Sequence, residues 1–142
     1  GRRAACHMIG APSEKPISGF PYGIYCIPEM SMVGPTEAEL TTAGVKYEVG
    51  VAQFVELAKG QMLGGSDGML KLIFDPDTLK LLAVHAIGEG STELVHIGQV
   101  LMDHGGTIEY FVTNPMNYPT FAEAYITAAR SGLNKITRVR AA

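Results

Sequence analysis

Two apolar runs in residues 69–87 set the strongest limit on the fold. Met69–Phe74 and 79–87 are apolar at nearly every position, and Asp75-Pro76-Asp77-Thr78 joins them. A turn of Asp and Pro between two such runs predicts an antiparallel hairpin. Successive side chains of a strand point to opposite faces, so strands this apolar predict a sheet covered on both sides. The rest of the chain must supply the cover.

Most of the candidates lie downstream. Residues 91–104 predict a helix with Leu94, Ile97, Gly98 and Leu101 on one stripe, stopped by Gly105-Gly106. Residues 107–112 predict a further short helix. Residues 119–131 predict the last one, with Phe121, Ala124, Tyr125, Ala128 and Ala129 facing inward and Gly132 as its stop. The alanines on that face permit close approach by another element. Residues 135–142 read as a loose tail.

Upstream, residues 1–9 read as the end of a helix stopped by Gly10, and 11–19 as a linker. Residues 22–27 and 31–33 are short extended pieces, separated by Pro28. Pro35-Thr36-Glu37-Ala38-Glu39 opens a short helix with a Thr36/Glu39 capping box, and Gly44 ends it. Val45, Tyr47, Val49 and Val51 alternate with Lys46, Glu48 and Gly50, which predicts a strand over 45–51. Residues 54–60 suit one or two helical turns, and 64–68 a loop. Strands early and helices late predict an α+β domain: an antiparallel sheet with helices packed on it. A single domain over 20–134 fits the 142 residues.

Composition narrows the function. Only 18% of residues are charged, which suggests surface covered by a partner. A net charge of −3 argues against nucleic acid as that partner. No apolar run approaches membrane-spanning length, and the start has no apolar segment behind Arg2 and Arg3 to make a signal peptide. Cys6 and Cys26 lack CxxC spacing, which suits a reduced, cytoplasmic protein. The chain starts without methionine and reads as a piece of a longer one.

Several constellations carry candidate chemistry. Gly88-Glu89-Gly90-Ser91-Thr92-Glu93 has the setting of a dinucleotide loop, between a strand and a helix. Glu93 stands in place of the third glycine, though, and an ordinary turn is the better reading. His85, Glu89, His96 and His104 are spaced too poorly to converge on a metal. Cys26, in an apolar stretch, is expected to be buried rather than reactive. Tyr118 with Glu123 could form a proton donor and its orienting carboxylate. Against this, Pro119-Thr120-Phe121-Ala122-Glu123 repeats the form Pro-Thr-x-Ala-Glu seen at 35–39, and spacing favours a second capping box.

Two stretches carry a family resemblance. Residues 23–37, Gly-Ile-Tyr-Cys-Ile-Pro-Glu-Met-Ser-Met-Val-Gly-Pro-Thr-Glu, resemble a strand followed by Pro-Glu and Val-Gly-x-Thr-Glu. Residues 118–123, Tyr-Pro-Thr-Phe-Ala-Glu, resemble His-Pro-Thr-x-x-Glu. Both patterns, at this separation, belong to the C-terminal dimerisation domain of the pyridine nucleotide–disulfide oxidoreductase flavoproteins. The resemblance implies a homodimer, with FAD and NAD(P) held on upstream domains of the same chain. It implies that residues 1–19 are the end of an FAD-domain helix and a linker. In the family's disulfide reductases the histidine is the acid–base for a dithiol at the partner's flavin. Here Tyr118 stands in its place, and tyrosine, with an unperturbed pKa of about 10, is a poor base near neutral pH.

Asn117-Tyr118-Pro119-Thr120, residues 107–112 and residues 47–54 resemble the soluble transhydrogenase branch, which lacks the redox disulfide and passes hydride between NADPH and NAD through FAD. The resemblance implies no catalytic residue and no metal on this chain. It gives Tyr118 and Pro119 a part in closing the partner's flavin pocket, and Glu123 a part in holding their loop as a helix cap. A dihydrolipoamide dehydrogenase-like disulfide reductase, a stand-alone dimeric interaction domain, and a small enzyme built on Tyr118, Glu123 and a histidine stay open as alternatives.

Overall fold

The expected hairpin is the centre of the sheet. In a computed structural model, which describes residues 1–12, 19–65 and 67–141, β4 (Met69–Phe74) pairs antiparallel with β5 (Leu81–Ile87). The linker residues 13–18, Ser66 of the 64–68 loop, and Ala142 lie outside the described residues. Asp75 makes the hairpin turn. Its Oδ1 accepts from the backbone N–H groups of Asp77 and Thr78, both at 2.8 Å, and those bonds hold its carboxyl below the usual range.

Three further strands complete the sheet: β1 (Tyr22–Ile24), β2 (Met30–Val33) and β3 (Glu48–Gln53). The order is β1-β2-β5-β4-β3, and every pairing is antiparallel. The helices are α1 (Arg2–Met8), α2 (Glu37–Thr42), α3 (Ala58–Met62), α4 (Ser91–Asp103), α5 (Glu109–Thr113) and α6 (Glu123–Ala141), with a 3-10 turn at Phe54–Glu56. The α+β architecture is the one expected.

Local signals set most of the boundaries. Thr36 and Glu39 form the complete capping box of α2, and its bonds to Thr36 hold the Glu39 carboxyl below the usual range. At the other end Gly44 takes a φ of +68° and donates to Thr41, while Val45 N–H donates to Leu40. That is a Schellman motif. It also explains why β3 starts at Glu48 and not at Val45: the Val45 N–H is already used by the helix end.

Gly132 behaves differently. It does not stop the last helix, which begins only at Glu123 and runs to Ala141, through the stretch expected to be a loose tail. A Cβ at Gly132 would lie 2.4 Å from Cε1 of the fully buried Phe74, and one at Gly50 would lie 2.0 Å from the Ala128 carbonyl oxygen. The two glycines let α6 settle directly on β3. Lys135 Nζ, beyond the expected stop, donates to the Val49 carbonyl at 2.6 Å.

The core lies between the sheet and the helices. Leu70, Leu72, Phe74, Val84 and Ala86 meet Leu94, Val95, Tyr125, Ala128 and Ala129 there, all buried. The buried hydroxyl of Tyr125 locks α6 to α4. It donates to the Leu94 carbonyl at 2.8 Å and accepts from the Gly98 N–H at 3.1 Å. Burial pushes its pKa well above the ordinary tyrosine value.

The opposite face departs from the expectation of full cover. Leu40 of α2 packs over Ile73 and Ala83. Beyond them the face is a groove of about 320 Å³, lined among others by Tyr22, Ile24, Met30, Met32, Met69 and Ile87. Apolar strands predict that a face will be covered, and they do not say by which molecule.

Candidate functional site

The loop from α5 to α6 carries the candidate residues. Asn114 closes α5, with its side-chain amide donating to the Tyr110 carbonyl at 2.9 Å. Tyr118 is 68% exposed. Phe121 anchors the far side of the loop, stacked on the buried Phe54 with ring centroids 4.5 Å apart.

The chain then enters α6 through i→i−3 bonds: Glu123 N–H to Thr120, Ala124 to Phe121, and Tyr125 to Ala122. That tighter winding removes the second capping box. The Thr120 hydroxyl donates to the Asn117 carbonyl at 2.6 Å, and Glu123 is the first residue of the helix. Its Oε2 is buried and has no hydrogen-bond partner among the described residues. Identical spacing at Thr36/Glu39 and Thr120/Glu123 thus produces two different structures.

The glycine-rich turn before α4 is filled from within. Glu29, from the loop between β1 and β2, sends Oε1 to the Gly90 N–H at 2.6 Å, and its Oε2 accepts from the Thr92 hydroxyl. The Glu29 carbonyl also accepts from the Gly88 N–H at 2.9 Å. A carboxylate occupies the helix N-terminus where a pyrophosphate would have to sit. This supports the ordinary-turn reading over the nucleotide one. No local signal marks Glu29 as a cap, because its partners lie about sixty residues away.

The other candidates do not converge. His85 sits on the open sheet face, and burial and the neighbouring Lys71 charge push its pKa down. Lys71 itself pairs with Glu37 at 2.6 Å. His96 bonds Gln99 and His104 bonds the Val100 carbonyl. Among the described residues no three His, Cys, Asp or Glu side chains group as metal ligands. Cys26 corrects the burial expectation. It is exposed, because β1 ends at Ile24 and the chain turns outward before Pro28. Among the described residues no helix is long and apolar enough to cross a membrane.

Comparison with known proteins places this geometry. Residues 20–129 match the family described as the pyridine nucleotide-disulphide oxidoreductase dimerisation domain. The chain belongs to that family. It is 53% identical over 136 residues to the soluble pyridine nucleotide transhydrogenase of Mycobacterium tuberculosis (strain ATCC 25177 / H37Ra), covering 96% of this chain and 29% of the relative. It is 50% identical over 139 residues to that of Marinomonas sp. (strain MWYL1), covering 96% and 30%.

This dimerisation domain therefore spans about three tenths of the length of those relatives. Among solved structures it superposes on the HOCl-induced flavoprotein disulfide reductase RclA from Escherichia coli with a TM-score of 0.80 at 21% identity, covering 91% of this chain and 30% of that one. LpdA from Mycobacterium tuberculosis gives 0.77 at 18%, covering 89% and 28%. Those two likenesses concern the fold. The resemblance drawn from 47–54, 107–112 and 117–120 and the sequence relatives agree on the transhydrogenase branch.

Proposed function

We propose that this chain is the self-associating part of a cytoplasmic, FAD-dependent transhydrogenase whose whole protein moves hydride between NADPH and NAD. The observation that carries the reading is Tyr118: an exposed phenol where the resembling disulfide reductases place a histidine. A phenol is a poor proton acceptor for a dithiol near neutral pH, so the site suits the branch without a disulfide. The disulfide-reductase alternative would lack its proton carrier at this position.

The glycine-rich turn before α4 does not suit a dinucleotide, because it holds the Glu29 carboxylate. In this reading FAD relays the hydride from other parts of the longer protein, and no residue here takes a chemical step. Residues 1–19 are the end of a preceding domain's helix and a linker, which suits the absence of buried residues in α1. Tyr118 and Pro119 lie over the flavin of the second copy.

Absorbance at 450 nm tests the reading. The purified 142-residue chain is expected to carry no flavin. Stoichiometric FAD bound to it would overturn the proposal.

A further inference from the structure

Three of the chain's seven methionines, Met30, Met32 and Met69, line the groove on the open sheet face together with His85. The pairing register brings them there. Met32 stands opposite His85, and Met30 and Met69 both stand opposite Ile87, two residues along the same strand. Residues two apart on a strand share a face, so all four side chains rise from one side of the sheet in two adjacent rows. His85 is the hub. Met32 is its direct cross-strand neighbour, with Cβ atoms about 5 Å apart. Met30 and Met69 are its diagonal neighbours on either side, at about 7–8 Å, which long side chains still bridge. Methionine is unbranched and turns about three bonds, so the three thioethers can close on a point above the imidazole.

These donors have no other task in the fold. His85 Nε2 is buried and has no hydrogen-bond partner among the described residues. The nearby carboxylates are already committed: Glu37 to Lys71 at 2.6 Å, and Glu39 to the backbone and hydroxyl of Thr36, each at 2.8 Å. The groove therefore offers sulfur and imidazole rather than oxygen. Around His85 the charges of Glu37 and Glu39 on α2 outnumber that of Lys71 on β4, which suits a cation. Thioethers are soft ligands and select Cu(I), whereas Mg²⁺, Ca²⁺ and Mn²⁺ require oxygen donors.

We propose that Met30, Met32, Met69 and His85 form a binding site for Cu(I) in this groove. The site is complete within one chain, because β2, β4 and β5 supply every donor. It is a ligand site on the sheet face, apart from the Tyr118 loop and from any hydride step, and it stands whether or not the proposed function holds.

Anaerobic titration of the 142-residue chain with Cu(I), held reduced by ascorbate and competed by bicinchoninate, tests the site. A Cys6→Ser/Cys26→Ser background removes the two free thiols, which would bind Cu(I) on their own. One Cu(I) per chain is expected, with copper–sulfur scattering in its X-ray absorption spectrum. Met30→Leu/Met32→Leu keeps the apolar volume, so circular dichroism should match the parent. That variant, and His85→Gln separately, should each raise the Cu(I) dissociation constant about a hundred-fold or more. Met62→Leu, at an exposed position on α3, should leave it unchanged. Failure of the cysteine-free chain to take up stoichiometric Cu(I) overturns the inference. So does uptake that neither the methionine variant nor His85→Gln weakens.

Discussion

Replacing Gly50 by alanine would put a methyl group 2.0 Å from the Ala128 carbonyl oxygen and 3.0 Å from the Gly132 nitrogen. Local reasoning gives the opposite sign. Glycine inside a strand costs about 0.5–1 kcal/mol relative to alanine, so the substitution should stabilise an unobstructed strand. Here the obstacle is backbone, which cannot rotate away. To restore van der Waals contact α6 must lift by about 1 Å, loosening Ala124, Tyr125, Ala128 and Ala129 from the sheet, all four fully buried. Overpacking of this kind costs about 1–3 kcal/mol, and backbone contact places Gly50→Ala at the upper end, near 3 kcal/mol. For a domain of this size the melting temperature should fall by roughly 10 °C, measured by circular dichroism at fixed protein concentration. A melting temperature unchanged or raised would refute the close approach of α6 to β3.

Three further outcomes follow from the packing. Tyr125→Phe removes the hydroxyl bonds that tie α6 to the Leu94 carbonyl and Gly98 N–H, which keep each other as helical partners, and should cost about 0.5–1.5 kcal/mol in urea denaturation. Glu29→Ala uncovers the N-terminus of α4 and should cost about 1–3 kcal/mol, with hydrogen exchange rising first at the opening turn of that helix. His85 has its pKa lowered by folding, so the folded state resists its protonation. The contribution is full above the unfolded value of about 6.5 and is lost as pH falls through the folded one, and His85→Gln should flatten that dependence in pH-resolved melts.

What could be read from the sequence was local. The hairpin, the Thr36/Glu39 cap and the stop at Gly44 each depend on residues within a few positions, and each formed. The failures share a long-range cause. Gly132 has the same chemistry as Gly44, but Phe74 and Gly50 lie against it, so its missing side chain serves helix–sheet contact and not a helix end. Glu29 caps a helix far along the chain. The motif at 119–123 repeats the one at 35–39, but the Phe121–Phe54 stack and the tighter turns at 120–125 draw Thr120 away from capping. Of the candidate site, Tyr118 was legible as the departure from a family pattern. The orphaned Glu123 oxygen was not, because burial is a property of the folded chain. The open sheet face was hidden for the same reason: an apolar strand reads the same in sequence whether or not its own chain covers it.

The central claim is that this chain exists to associate with its own copy. Sedimentation equilibrium of the 142-residue chain, from about 1 to 100 µM, tests it over the range in which weak and strong dimers separate. The account predicts twice the monomer mass through most of that range. A single monomeric species at every concentration would contradict it.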